Sequence, residues 1–297
     1  MVELWALVHC FTPGQMNYEA TETLSNSKFK RRFGVRRPTF AQMVQGLKTQ
    51  IPDLPHPGRP PSLSLEDQIL VTLEYWREYR TYFHIATDRG VSESTICRTI
   101  HRVEARLMAS GRFRIPGKKQ LVQGFGRPDV VVMDVTETPI ERPKRKQNRF
   151  YSGKKKHHTL KCQIVIDRDT QEIICLRFGQ GRIHDFKLFK ASGVHFHPDI
   201  LSLEDKGYQG IARYHANCFI PKKKPKNGVL SEADRDFNRT LSRERICIEH
   251  VNRRLKIFKL LAQRYRNRRR RYGLRFNLIA ALYNHELNLA EDRQKNV

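Results

Sequence analysis

The sequence predicts an α/β chain in which an all-helical region precedes a mixed-sheet domain. Three observations predict it. Apolar residues recur at helical spacing from Met16 to about Gly117. From Arg127 the pattern changes to near-continuous apolar runs of strand length. Helix then returns from Ser231 and continues, with breaks, to about Leu289. The order of three strands, helix, strand, helix, short strand and long helices is that of a layered α/β fold, and 297 residues suffice for about two domains. The expected divisions are a start-site extension at 1–15, a helical domain at 16–120, a mixed-sheet domain at 127–289 and a tail at 290–297.

Within the helical region, Asp53 to Pro61 is a proline-rich break. After it Ser64 caps a helix with Asp67 three residues on, and Leu65, Ile69, Leu73 and Trp76 follow at helical spacing. Phe83, Ile85 and Ala86 mark a short helix, Arg89-Gly90-Val91 a tight turn, and Ser92 the cap of a second helix through Ile96, Ile100 and Val103. Short helix, glycine turn and polar-faced second helix match a helix-turn-helix. Its expected outward face carries Ser94, Thr95, Arg98, Thr99 and Arg102, types that reach base edges or phosphates. An ordinary helical hairpin with a solvated face is the plainer reading, and the charge of the chain favours the DNA reading.

In the second region Asp129 to Val135 reads as a buried strand, and Leu160 to Asp167 and Glu172 to Phe178 as two more, joined by Asp167-Arg168-Asp169-Thr170. Asp185 to Ala191 reads as a helix, Ile200 to Leu203 as a fourth strand and Cys218 to Pro221 as a fifth. Asp234 completes a capping box with Ser231.

Charge narrows the function. Lys and Arg number 56 against 30 Asp and Glu, a net charge of +26. Self-repulsion on that scale is relieved by a polyanion, with nucleic acid ahead of an anionic membrane surface. No stretch approaches the roughly 18 apolar residues of a spanning helix, and the first fifteen residues make a poor signal peptide. Six cysteines with no Cys-x-x-Cys pair read as buried reduced thiols rather than a zinc ribbon.

Three acidic residues stand out. Asp134 interrupts an apolar strand, where a carboxylate must find a cation, find hydrogen bonds, or open into a site. Asp205 follows a strand and precedes Lys206-Gly207-Tyr208-Gln209-Gly210; strand carboxyl ends are where α/β sheets place ligands, although a surface-turn aspartate is common. Glu249 lies opposite the expected stripe Ile248, Val251, Leu255, Phe258 and Ala262, on a polar face with Arg245 and Lys256. Salt bridges to Arg245 and Arg253, each worth about 0.2–0.5 kcal/mol, are the plainer account of it. Together the three could supply oxygen ligands for hard divalent cations such as Mg²⁺. Two such ions flanking a phosphodiester activate the attacking oxygen and stabilise the leaving one.

The segments Asp134 to Ile140, Tyr151 to Lys156, Gly181 to Phe186 and Asp205 to Gly210 resemble the catalytic domain of DDE-type insertion-sequence transposases of the IS-five family. Arg245 and Lys256, four before and seven after Glu249, fit that family's spacing, whereas Ser242 stands where related groups often carry Tyr. The resemblance runs from Met16 to about Leu287. It implies an RNase-H-like fold, catalysis by Asp134, Asp205 and Glu249 as ligands of two Mg²⁺ or Mn²⁺ ions, and a bacterial, cytoplasmic, nucleoid-associated protein. The implied partner is double-stranded DNA, both terminal inverted repeats and target, held by a homodimer or higher oligomer.

Expected DNA contacts are Arg98 and Arg102, the hairpin lysines Lys154, Lys155 and Lys156, then Arg245, Lys256, Arg266, Arg268, Arg269, Arg270 and Arg271. The run from Arg264 to Arg271 is expected to meet phosphates without an ordered presentation. His184-Asp185 reads as a helix cap with a site-lining histidine rather than part of a metal phosphohydrolase. Two competitors remain: a non-catalytic DNA-binding protein derived from a transposase, which needs no intact acids, and a metal-dependent endonuclease that hydrolyses without joining ends.

Overall fold

A computed structural model describes residues 17–50 and 61–295, with side chains to 290. The start-site extension, and the proline-rich break apart from Pro61, lie outside the described residues. The chain divides into two compact units between Ser110 and Gly111.

Among the described residues the first unit holds six helices: α1 Tyr18–Glu22, α2 Asn26–Phe33, α3 Arg37–Lys48, α4 Leu65–Glu78, α5 Tyr82–Asp88 and α6 Glu93–Ala109. Side-chain caps at Asn17, Ser25, Ser64, Thr81 and Ser92 satisfy orphan amides at five helix starts. Trp76, Ile69, Leu73, Phe29, Phe33, Ile96, Ile100 and Val103 form a buried core. The α5–α6 turn is built as a helix-turn-helix requires: Gly90 takes φ 61, which favours glycine. Arg89 beside it is buried, with Nη1 3.0 Å from Asp67 and Nη2 3.6 Å from Glu74. Trp76 Nε1 donates to buried Glu104 at 3.2 Å. Thr99 departs from the expected outward face, being 1% exposed. It lies only about 60° around the helix from Ile96, on the edge of the apolar stripe. Arg98 and Arg102 do face solvent.

The second unit is built on a mixed sheet: β1 Val130–Pro139, β2 Tyr151–Ser152, β3 His157–Asp167 and β4 Ile173–Gln180, then, after helix α7 Asp185–Ser192, β5 Leu201–Leu203 and β6 Cys218–Phe219. β1 pairs antiparallel with β3, and β3 with β4; β5 joins β1 in parallel and β6 joins β5 in parallel. Helices α8 Glu232–Glu244, α9 Ile246–Leu255, α10 Lys259–Ala262 and α11 Tyr272–Lys295 follow. This is the mixed α/β domain the sequence predicts, with α11 continuing through the expected tail to Lys295.

Strand alternation gives β1 two different faces. Val131 and Met133 enter a core with Val165, Phe189, Ile200 and Tyr208, on the side of α7. Leu121, just past the expected helical domain at 16–120, is buried in the same core. The opposite face meets the C-terminal helices: Asp134 bonds Asn252 of α9, and Thr138 donates to the Leu261 carbonyl of α10. The expected single stripe to Ala262 is broken. α9 ends at Leu255, Phe258 starts α10, Leu260 and Leu261 are buried, and Ala262 is exposed. The break resets the helical phase so that Leu261 reaches β1.

Candidate active site

β1 and β5 bring the two aspartates into one neighbourhood. Val130 faces Leu201 and Val132 faces Leu203, where the parallel pairing ends, and Asp134 and Asp205 each follow that last pair by two residues. Burial pushes the Asp134 carboxyl up, the Asp205 charge adds to that, and Arg245, a hydrogen bond at Val135 and Lys154 oppose it. Asn252 Nδ2 donates to Asp134 Oδ2 at 3.0 Å and fixes its orientation. Asp205 Oδ1 accepts from the Gly207 amide at 2.8 Å, which pins the strand end in a tight turn.

Glu249 stands one turn before Asn252 on α9. Together with Arg253, Lys256 and Ile257 these two residues line one surface groove. Among the described residues Glu249 makes no ion pair with Arg245 or Arg253, so the salt-bridge account of it does not hold. The structure links Asp134 with Asp205 and sets Glu249 along the groove that begins at Asp134's partner. Among the described residues no three of His, Cys, Asp and Glu close on a single point as a finished metal cage.

Three further acids belong to this neighbourhood. Tyr208 is fully buried, and its hydroxyl is pushed far up by burial and by the charges of Asp134, Asp185, Asp205 and Glu204. Glu204 is itself fully buried, and neither carboxylate oxygen meets hydrogen-bond geometry. Burial raises it to about 7; nearby Ser202 and Arg245 lower it, and Asp205 raises it. Asp185 does more than open a helix. Its Oδ1 lies 2.7 Å from Lys161 Nζ, and a Cβ on Gly207 would meet Asp185 Oδ2 at 3.1 Å and Asp205 Oδ1 at 2.9 Å. The two carboxylates therefore flank one backbone atom. Lys161 also lies 3.9 Å from Glu137, which accepts from Thr159 at 2.6 Å. Sequence reading passed over Glu204, Glu137, Lys161 and Asn252. The available signal was Lys161, a cation inside an apolar strand. His184 occupies the cap position of α7 but makes no capping hydrogen bond.

The expected DNA-contact residues divide. Lys154, Lys155 and Lys156 are exposed on the turn between β2 and β3, and Lys154 and Lys155 act electrostatically on Asp134 and Lys256 respectively. The turn therefore lies within electrostatic reach of the acidic site. Lys256 is lowered first by partial burial and then by Lys155, while Asp134 and Glu137 pull it back up. Arg245, at the α8–α9 junction, is half-buried and turned toward Asp134 and Glu204, an internal counter-charge. Arg266, Arg268, Arg269 and Arg270 are exposed and Arg271 is half-buried.

Contrary to expectation, the basic run is an ordered loop. Tyr265 N donates to the Pro139 carbonyl at 2.8 Å, its hydroxyl donates to the Arg270 carbonyl at 2.5 Å, and Arg275 donates to that hydroxyl at 3.0 Å. Five of the cysteines are free thiols, and Cys10 lies outside the described residues. No helix among the described residues is long and apolar enough to cross a membrane.

Comparison with known proteins points the same way. Residues 133–284 match the family model described as DDE superfamily endonuclease, and residues 61–113 match the helix-turn-helix of DDE superfamily endonuclease. The chain is 53% identical over 274 residues to the "Probable transposase for insertion sequence element IS702" of Microchaete diplosiphon, covering 92% of this chain and 99% of that protein. It is 29% identical over 234 residues to a transposase assigned to insertion sequence element IS112 of Streptomyces albus G, covering 77% of this chain and 83% of the relative.

Proposed function

The chain belongs to the DDE superfamily endonucleases, and from that premise we propose that it is an insertion-sequence transposase that binds the ends of its element, cuts them and joins them to target DNA. The observation that supports this reading is the parallel pairing of β1 with β5, which ends at Val132 and Leu203, two residues before Asp134 and Asp205, together with the action of the Asp205 charge on Asp134. A hard divalent cation fits this surrounding. The available donors are carboxylate oxygens, and four of them surround Tyr208 with Lys161 and Arg245 as the nearby cations. Asp134 and Asp205 would hold the ions, with Glu249 contributed by α9. Such ions, when bound, supply activation of the attacking oxygen and stabilisation of the leaving one.

The chain's own residues do the rest. Asn252 keeps the Asp134 carboxylate aimed. The Gly207 amide keeps Asp205 aimed. Lys161 holds Asp185 against the same turn, so the negative charge beside the ligands is fixed rather than free to swing. Lys154, which acts on Asp134, and Lys155 and Lys256 beside it would meet phosphates flanking the cut, and Arg98 and Arg102, exposed one turn apart on α6, would enter a major groove. Phosphate contacts position the duplex, and base contacts select it.

The test is cleavage and joining with the cloned ends of the element in Mg²⁺, in Mn²⁺ and in chelator. Cutting confined to the metal-containing reactions, and joining of a pre-cut labelled end to plasmid DNA, are expected. Cutting without joining would make the protein an endonuclease only, and end binding without either reaction would make it a non-catalytic DNA-binding protein.

A further inference from the structure

The ordered arginine loop meets the end of β1 in a pocket of about 390 Å³ on the second unit. Its floor is Ile140 and Tyr265, 6% and 1% exposed. Arg142 and Arg145, from the segment after β1, and Arg268 and Arg269, from the arginine loop, also line it. Among the described residues none of these four arginines pairs with a carboxylate, and Glu141 is the one acid in the lining. The pocket is built rather than draped. Tyr265 is held from three sides, by β1, the Arg270 carbonyl and Arg275. Ile140 and Tyr265 form a parallel bridge. The Arg269 guanidinium lies 4.4 Å from the Phe150 ring centroid, which fixes its plane. Arg268 and Arg269 take φ 46 and 69. Backbone strain of that kind persists where surrounding structure over-determines it, and it gathers at ligand sites.

The pocket shares one face of β1 with the acidic site. Asp134, Thr138 and Ile140 lie on that face, and the chain from α9 onward runs along it in the same order. Asn252 meets Asp134, Leu261 meets Thr138, and Tyr265 meets the Pro139–Ile140 end. Six residues of strand separate Asp134 from Ile140, about 20 Å at roughly 3.3 Å each. A duplex advances about 3.4 Å per base pair, so that distance spans about six base pairs.

We propose that this pocket is a DNA-backbone anchor that grips one or two phosphates about six base pairs from the scissile bond, on the flank that runs from Asp134 along the α9–α10 face. A surface that only neutralises charge needs no floor and no fixed arginines. A phosphate grip at a set distance from the acids needs both. The inference rests on the transposase reading and adds a measured spacing to it. The anchor also sets which flank is held during cutting: a duplex ending short of the pocket keeps the acids but loses the grip.

The experiment is a methylphosphonate walk. Single phosphates of a duplex carrying the element's end are neutralised one at a time, from two to ten base pairs on each side of the cut. Binding is measured for the wild type and for the double variant Arg145→Gln with Arg268→Gln, both exposed positions away from the acids. Urea unfolding of the double variant against the wild type separates a local effect from a folding defect. The wild type is expected to lose affinity severalfold at one or two positions near six base pairs on one flank. The double variant should show no loss there and a salt slope reduced by about two units. A wild-type profile with no sensitive position near six base pairs, or a variant that keeps the same sensitivity, overturns the anchor. Metal-dependent cutting of the unmodified duplex and joining of the cut end by both proteins would keep the transposase reading intact in that event. Absence of cutting by the wild type would overturn that reading, and the anchor with it.

Discussion

Glu204→Gln isolates the acid that the second unit buries in its interior. Glu204 is fully buried, neither oxygen meets hydrogen-bond geometry, and its carboxyl is raised from 4.5 to about 7, first by burial and then by Asp205 against the opposing pull of Ser202 and Arg245. At about 1.4 kcal/mol per pH unit, that displacement amounts to about 3 kcal/mol. The sign follows from which state releases its proton first. Below about pH 4.5 the group is protonated whether folded or unfolded and contributes no difference. As pH rises from 4.5 toward 7, the unfolded chain ionises while the folded chain stays protonated, and stability falls. Above about 7 the loss is complete and stays constant. Glutamine buries a polar group of similar size without the titration, so wild type and variant should match near pH 4.5. The variant should be more stable by up to about 3 kcal/mol at pH 8, roughly 6–12 °C in melting temperature for a unit of this size. Urea unfolding from pH 4.5 to 8 in chelator, followed by hydrogen exchange of β1 and β3 amides, reads the second unit alone. Parallel stability curves for the two proteins over that range would refute the buried charge.

Asp134→Asn should abolish cutting and keep DNA binding. In chelator it should raise the melting temperature, because a desolvated carboxylate is gone, and Mg²⁺ should no longer add stability; undiminished cleavage would remove Asp134 from the site. Gly181→Ala places a Cβ 2.3 Å from Thr159 Oγ1 and 2.4 Å from the Phe150 carbonyl, and the clash should cost about 1–3 kcal/mol or more in urea unfolding. Arg89→Met leaves Asp67 and Glu74 facing a buried apolar side chain, and should destabilise the first unit by about 3–5 kcal/mol in thermal melts followed by Trp76 fluorescence. Arg98→Gln should narrow the affinity gap between the element's end and unrelated DNA by about 1–3 kcal/mol, whereas Arg270→Gln should weaken both equally and lower the salt slope by about one unit; equal losses for Arg98→Gln would move specificity elsewhere.

The sequence by itself determined the local elements and the types of chemistry. Capping residues at Ser64, Ser92 and Ser231 fixed helix starts because a side-chain oxygen three residues before an orphan amide acts within one turn of chain. The α/β order and the DNA-binding charge followed from periodicity and composition, which are also one-dimensional properties. The acids Asp134 and Asp205 were legible because each breaks a local pattern, one inside an apolar run and one at its end. Tertiary structure alone decided which side chains share a face. Asn252 and Glu204 look ordinary in sequence; the packing of α9 against β1 brings Asn252 to Asp134, and the pairing of β5 with β1 brings Glu204 to the same neighbourhood. Thr99 and Ala262 went the other way: their exposure depends on the packing of α6 and on the break between α9 and α10. The arginine run shows the difference most plainly. Composition makes it a binder of phosphates, but its order comes from Tyr265 reaching the end of β1, more than a hundred residues earlier. No local rule encodes that contact, because its energy depends on two distant segments arriving at one place.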